Sequence, residues 1–228
     1  MAAGLRRVRP SPPPEHRLKI DPAGLPFVAI AAVPAAVSAW LGATVVAIVL
    51  LALPVAVALF FRDPERSSPS DATLVLAPAD GRVMFAGDAR VEEAPPGQWK
   101  QITIFLSLLD VHINRTPVAG KVTRVEYLPG SFLPAYRRES FENERSEIWI
   151  DHDGTTVVAR QVVGLLARRV VCRVKAGDVV SAGERIGLMK FGSRMDVFVP
   201  HTAEIKTQAG DQVQAGTTVL AVLRRPGQ

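Results

Sequence analysis

Four short segments carry the residue types that do chemistry. The run Leu188-Met189-Lys190-Phe191-Gly192-Ser193-Arg194 presents a serine behind a glycine. A serine hydroxyl offers a nucleophile, and glycine tolerates backbone conformations closed to other residues. The segments Ala77-Pro78-Ala79-Asp80-Gly81 and Leu109-Asp110-Val111-His112-Ile113-Asn114-Arg115-Thr116-Pro117 add a carboxylate and a histidine. Histidine exchanges a proton near neutral pH. Arg145, within Asn143-Glu144-Arg145, has a guanidinium that can grip a phosphate or carboxylate with two parallel hydrogen bonds. Taken singly, each has a plainer reading. Gly-Ser and Ala-Asp-Gly are ordinary turn sequences, His112 fits a core histidine, and Arg145 fits a surface salt bridge. Other chemistries lack their residues. The histidines have no metal-ligand spacing, so no metal is expected. Glycines do not fall in a dinucleotide or P-loop pattern. The single cysteine, Cys172, excludes a disulfide framework and a Cys-rich zinc site.

These segments need elements to hold them, and the chain divides into three zones. Residues 1–21 are polar, Pro-rich and basic (Arg6, Arg7, Arg9, Arg17, Lys19), and read as a disordered tail. Residues 22–61 contain no charged side chain. As one straight helix this stretch would reach about 60 Å, twice a bilayer core. Pro34 and Pro54 interrupt it and Gly42 divides it, so two short helices, Phe27–Leu41 and Thr44–Phe61, are expected as a membrane hairpin. The basic tail favours keeping both ends in the cytoplasm. A signal peptide is the competing reading, but the run is long for one and no small-residue cleavage site follows it. A hairpin buried in a soluble core is the other. Residues 62–228 have the composition of a soluble domain. The net charge of +5 is mixed with acidic residues and shows no aromatic-basic stripe, which argues against nucleic acid and for an anionic membrane surface.

Within residues 62–228, Val-, Ile- and Thr-rich runs alternate with Gly, Pro and Asp turns. Examples are Thr73–Leu76, Ile102–Leu106, Val122–Tyr127, Glu147–Ile150, Thr155–Val162, Arg169–Val174, Met195–Val199 and Thr218–Leu223, with a short helical turn at Gly164–Arg168. The fold class is therefore mainly β. Ala176–Gly183 recurs as Ala209–Gly216, and each copy reads as strand, Gly-Asp turn, short strand, Gly turn, strand. The paired copies resemble a barrel-sandwich hybrid, as in lipoyl and biotinyl domains.

Phe60-Phe61-Arg62-Asp63-Pro64, the Asp80 turn, His112, Asn143-Glu144-Arg145 and Phe191-Gly192-Ser193 occur in this order. The ordered set resembles the short bacterial and archaeal class of phosphatidylserine decarboxylases, over nearly all of residues 60–225. The resemblance implies a zymogen that cuts itself between Gly192 and Ser193. The Ser193 hydroxyl attacks the Gly192 carbonyl; elimination and hydrolysis then turn Ser193 into a pyruvoyl cofactor. The implied products are a β chain, residues 1–192, and an α chain, residues 193–228, which stay associated. The pyruvoyl forms a Schiff base with the substrate amine and takes up the charge left by CO2, giving phosphatidylethanolamine in phospholipid biosynthesis. Ser193, His112 and Asp80 are the implied catalytic residues, and Arg145 is a candidate for substrate binding.

One position departs from the family pattern. Many members carry a second histidine three residues after the first, in a triad with Asp and Ser for self-cleavage. Here that position is Arg115, which is no base. The base for cleavage is thus open, with His112 a candidate for both steps. The resemblance further implies phosphatidylserine in the cell membrane as substrate and a cytoplasmic catalytic domain. It leaves a homo-oligomer open. The alternative from another class is a membrane-anchored lipoyl- or biotinyl-like carrier, with Lys190 as the modified lysine, or a secretion adaptor. The spacing from Gly183 to Lys190 is short for such a carrier, and no heptad hairpin of an adaptor is present.

Overall fold

The computed structural model describes residues 19–165, 170–190 and 192–224. Most of the expected tail, residues 1–18, and most of the expected turn at 164–168 lie outside them. The last tail residues are not loose: Lys19–Ile20 (β1) pairs antiparallel with Arg62–Asp63 (β2). Asp21 follows and accepts two hydrogen bonds from Arg173, at 2.6 and 2.7 Å. Lys19–Asp21 therefore belong to the folded part, within the stretch that charge alone assigns to the tail.

The uncharged stretch folds as a helical hairpin. Leu25–Trp40 (α1) packs against both Thr44–Leu50 (α2) and Ala52–Phe60 (α3), with Gly42 at φ 77 in the turn. A left-handed conformation suits a residue without Cβ. The second arm breaks at Leu51, because Pro54 has no N–H to offer the Leu50 carbonyl. Only Ala35 and Ala47 are buried in α1 and α2, where small side chains let helices approach closely. Ile30, Val33, Trp40, Val45, Ile48 and Val49 point outward and are exposed. A hairpin in a soluble core would bury these side chains. The segment Pro22–Trp40 is long and apolar enough to cross a membrane by length and composition.

The remaining strands are Leu74–Leu76 (β3), Gly81–Asp88 (β4), Trp99–Leu106 (β5), Ile113–Arg115 (β6), Gly120–Leu128 (β7), Arg145–His152 (β8), Thr155–Val162 (β9), Val171–Cys172 (β10), Val179–Val180 (β11), Arg185–Leu188 (β12), Ser193–Pro200 (β13), Glu204–Ile205 (β14), Gln212–Val213 (β15) and Val219–Val222 (β16). One eight-stranded antiparallel sheet runs β11-β7-β8-β9-β13-β5-β4-β15, and two three-stranded sheets run β14-β16-β3 and β10-β12-β6. They close on one apolar cluster that includes Val75, Val83, Ile104, Val122, Ile148, Ile186, Met195 and Leu220. The mainly β expectation holds.

The repeat has a clear structural meaning. Its first copy lays β11 along β7, and its second lays β15 along β4. Equivalent backbone bonds form in each: Gly177 N to Val122 O and Gly210 N to Val83 O, both 2.8 Å. The duplication also reaches Ala77–Val83 and Thr116–Val122, which share Pro, Gly and Val at matching places. Gly81 and Gly120 both lie against a neighbouring carbonyl, where an added Cβ would sit 2.1 Å from Phe105 O or 2.2 Å from Asp151 O. Asp80 occupies the place of Ala119 in the other half, so the two halves differ at a residue picked out for chemistry.

Candidate active site

Ser193 opens β13, opposite Leu106 of β5. Alternation along the strand puts Ser193 on the same side as Met195, Val197 and Val199, and its side chain is fully buried. Its Oγ donates to Lys190 O at 3.3 Å, long for a hydroxyl bond, so the hydroxyl is weakly held. Gly192 before it takes φ 74, a left-handed conformation. The Gly192 carbonyl rests on the bare Cα of Gly164, where a Cβ would come within 1.9 Å of its oxygen. Two glycines distant in sequence thus shape the bond before Ser193. Phe191 lies outside the described residues.

His112 sits just before β6, at the foot of the hairpin. Its backbone carbonyl accepts from Met189 N at 3.2 Å, beside the segment leading to Gly192. The imidazole lies on the ring of Phe60, the last residue of α3, with centroids 4.1 Å apart. Nδ1 is 2.9 Å from Asp110 O. A carbonyl only accepts, so Nδ1 carries the proton and Nε2 presents a lone pair. Nε2 is buried without a hydrogen-bond partner. Burial pushes the His112 pKa down to about 4, and the charge of Arg62 adds to the lowering. The Asp110 carbonyl and the charges of Asp110 and Asp80 oppose it. The ring is therefore neutral near pH 7. No hydrogen bond joins it to Ser193.

Asp80 bonds neither of them. Arg66 grips its carboxylate at 2.5 and 2.7 Å, and Ala215 N donates at 2.8 Å. Arg66 lies on the segment that leads from the hairpin into the domain, so Asp80 holds that segment down. Arg115 does the same work. It donates to Gly183 O and to Pro64 O, each at 2.9 Å, and lies 3.6 Å from Asp63. The residue standing where many relatives are expected to carry a histidine is a buried tie between two backbone carbonyls. Replacing Arg115 by Ala leaves the Gly183 and Pro64 carbonyls without this donor and takes one of two cations from Asp63, which keeps Arg185 at 2.7 Å. The expected cost is about 2–4 kcal/mol, read as a lower thermal midpoint of uncut protein.

Arg145 belongs to a different cluster. It donates to Phe141 O at 3.0 Å and lies 3.6 Å from Glu147, which pairs chiefly with Arg160 at 2.8 Å. This favours the salt-bridge reading, although the site is half-buried and not on the open surface. The cluster continues under residues 131–142 to Arg194, which bonds Asp196 at 2.8 Å and Glu93 at 2.7 Å. Burial works against the Arg194 charge, yet Asp196 and Glu93 outweigh it and raise the pKa above the ordinary value. These bonds clamp β13 one residue beyond Ser193. The sequence reading did not single out this cluster. Its only signal was polar Arg194 and Asp196 alternating with apolar residues, matched by Gln101 and Thr103 on the paired strand β5. Asn143 is also structural: its side chain bonds Leu133 N, Leu133 O and Val163 O, each at 2.8 Å, beside Gly164.

Comparison with known proteins gives the family. The sequence profile described as phosphatidylserine decarboxylase matches residues 54–221. The chain is 44% identical over 202 residues to the phosphatidylserine decarboxylase proenzyme of Geotalea uraniireducens (strain Rf4), covering 88% of this chain and 94% of the relative. It is 42% identical over 205 residues to that of Solibacter usitatus (strain Ellin6076), covering 90% and 97%. The corresponding proenzyme of Burkholderia mallei (strain SAVP1) is 43% identical over 202 residues, covering 88% and 93%. With the matched region taking in the hairpin foot, His112 and the Gly192-Ser193 bond, the chain belongs to the phosphatidylserine decarboxylase family.

Proposed function

We propose that this chain is made as a precursor, cuts itself at Gly192-Ser193, and then decarboxylates phosphatidylserine to phosphatidylethanolamine in phospholipid biosynthesis. The observation that carries the reading is the buried, weakly bonded Ser193 hydroxyl behind a left-handed Gly192, on a segment whose Met189 N–H bonds the carbonyl of His112, the histidine with a bare Nε2. In the cleavage step, Ser193 Oγ attacks the Gly192 carbonyl carbon while His112 Nε2 takes the hydroxyl proton. The C–N bond breaks as that proton is passed to the Ser193 nitrogen. A base then removes the Ser193 α-proton, and Gly192 leaves as a carboxylate. Water displaces ammonia and leaves the ketone. Asp80, tied to Arg66, acts at a distance: its charge makes His112 easier to protonate.

The residues fit a pyruvoyl group at position 193. The position is buried opposite Leu106 at a strand end, and among the described residues no charged side chain bonds to it. Such a group supplies a ketone that takes the substrate amine and accepts the electrons released when CO2 leaves. His112 Nε2, a bare lone pair near pH 7, would take a proton from the substrate ammonium and return it to the substrate carbon. After cutting, the fragment that begins at position 193 stays associated, because β13 runs between β9 and β5 while β15 and β16 pair with β4 and β3. Mass spectrometry of purified protein tests the reading. The expected small fragment begins at position 193, lacks a free amine and gains two hydrogens on borohydride reduction. A single uncut chain that still turns over phosphatidylserine would overturn it. The carrier alternative gains no support: Lys190 is half-buried, with its ammonium 4.7 Å from the centre of the Phe27 ring.

The hairpin enters the cell membrane from the cytoplasmic side and places the site at headgroup depth. Its 16-residue first helix reaches about 24 Å, somewhat short of a hydrocarbon core of about 30 Å. Full-length protein is expected to sediment with membranes and to need detergent for release. Protein starting near Pro64 is expected to lose this association. Full-length protein found free of lipid in the soluble fraction contradicts the anchor.

A further inference from the structure

The foot of the hairpin is ringed by cations, and most are neutralised. Lys19 pairs with Glu65, Arg66 with Asp80, Arg115 with Asp63, Arg173 with Asp21, and Arg185 with Asp63 and Glu65. Arg62 and Lys190 differ: among the described residues neither has a carboxylate partner. Arg62 directly follows the hairpin and is held by two carbonyls, Leu59 O at 2.8 Å and Leu109 O at 2.5 Å. A guanidinium carries five N–H donors, so these bonds fix it without using it up. Its charge is felt at His112. Lys190 presents its ammonium over Phe27 of the hairpin, while its carbonyl accepts the Ser193 hydroxyl. Two uncompensated cations thus flank the reacting pair, one on the His112 side and one on the Ser193 side.

We infer that Arg62 and Lys190 form an anion clamp for the phosphodiester of the lipid headgroup. The inference rests on the function proposed above and adds the group by which substrate is gripped. The phosphodiester fits better than the serine carboxylate. The carboxylate is lost as CO2, and ion-pairing it would stabilise the ground state against reaction. The phosphodiester keeps its charge throughout, so gripping it strengthens substrate and transition-state binding alike. The expected signature is therefore in KM and not in kcat. The position agrees as well, since a phosphodiester lies at the boundary where a membrane hairpin emerges into water.

The test uses the full chain in detergent and water-soluble dihexanoyl phosphatidylserine, kept below its micelle concentration. Lys190→Gln and Arg62→Gln are each expected to raise KM about tenfold, with kcat within about twofold. Lys190→Arg is expected to restore KM to within about threefold. Because Arg62 also bonds two carbonyls, Lys190→Gln, which loses no such contact, is the decisive variant. Unchanged KM in Lys190→Gln overturns the clamp. So does a tenfold loss seen only with anionic vesicles, which would mean general attraction to a charged surface. Calorimetric binding of the same lipid, and of free serine, to the Ser193→Ala chain separates this proposal from the first. The clamp requires weaker lipid binding in Lys190→Gln with serine binding unaltered, whether or not position 193 is ever processed. A wild-type chain that stays uncut and inert would sink the decarboxylase reading alone.

Discussion

Ser193→Ala is expected to abolish cleavage and turnover together while leaving the fold intact. The substitution removes only the hydroxyl proposed to attack the Gly192 carbonyl. That hydroxyl makes one long bond, 3.3 Å to Lys190 O, so its loss should change stability by no more than about 1 kcal/mol. Gel electrophoresis should show one band of 24.6 kDa where the wild type shows two pieces. Ser193→Cys keeps a nucleophile and is expected to cut slowly, because its thioester eliminates less cleanly. A Ser193→Ala chain that still splits at this bond would remove Ser193 from the mechanism.

His112→Ala is expected to lower decarboxylation by about 10²-fold or more, the usual worth of a positioned proton donor. Whether cleavage also fails divides its two roles. Cutting at a normal rate with lost turnover would confine His112 to decarboxylation, whereas loss of both would make it the base that Arg115 cannot be. Turnover close to wild type would end the assignment. Its buried state adds a second readout. The folded pKa, about 4, lies below the unfolded value of 6.5, so between these pH values the unfolded chain binds the extra proton. Stability from this group is complete above about pH 6.5 and is lost as pH falls toward 4, by about 3 kcal/mol over that window. His112→Phe, measured in uncut Ser193→Ala protein, keeps an apolar ring on Phe60 and should flatten the melting temperature between pH 4.5 and 6.5. An unaltered slope would show that His112 is not the group refusing the proton.

Much of the architecture is written in local pattern. An uncharged run broken by Pro54 and turned at Gly42 reads as a short apolar hairpin, and the structure has one, with Ile30, Val45 and Ile48 outward. Apolar runs between Gly and Asp turns marked strands such as Thr155–Val162 to the residue. The strand Gly81–Asp88 is not among those runs, because its apolar stretch Val83-Met84-Phe85-Ala86 does not alternate and has a single β-branched residue between glycines. The repeat located two equivalent turns, since each turn depends on its own glycine and aspartate. Asp211 Oδ2 accepts from Gln208 N at 2.9 Å as Asp178 Oδ2 accepts from Lys175 N.

The sequence by itself determined the family, through the order of several short segments, and the apolar hairpin, through one uncharged run; it also supplied the Gly192-Ser193 pair proposed here for cleavage. Tertiary structure alone decided how those residues are employed. Asp80 meets Arg66 and Ala215, and Arg115 meets Pro64 and Gly183, through contacts spanning 14 to 135 residues along the chain. His112 owes its low pKa to burial against Phe60, and Gly192 owes its placement to the missing side chain of Gly164. A side chain's ionisation and hydrogen bonds depend on what folding places within a few ångströms of it. Residue order specifies that only through the packed whole.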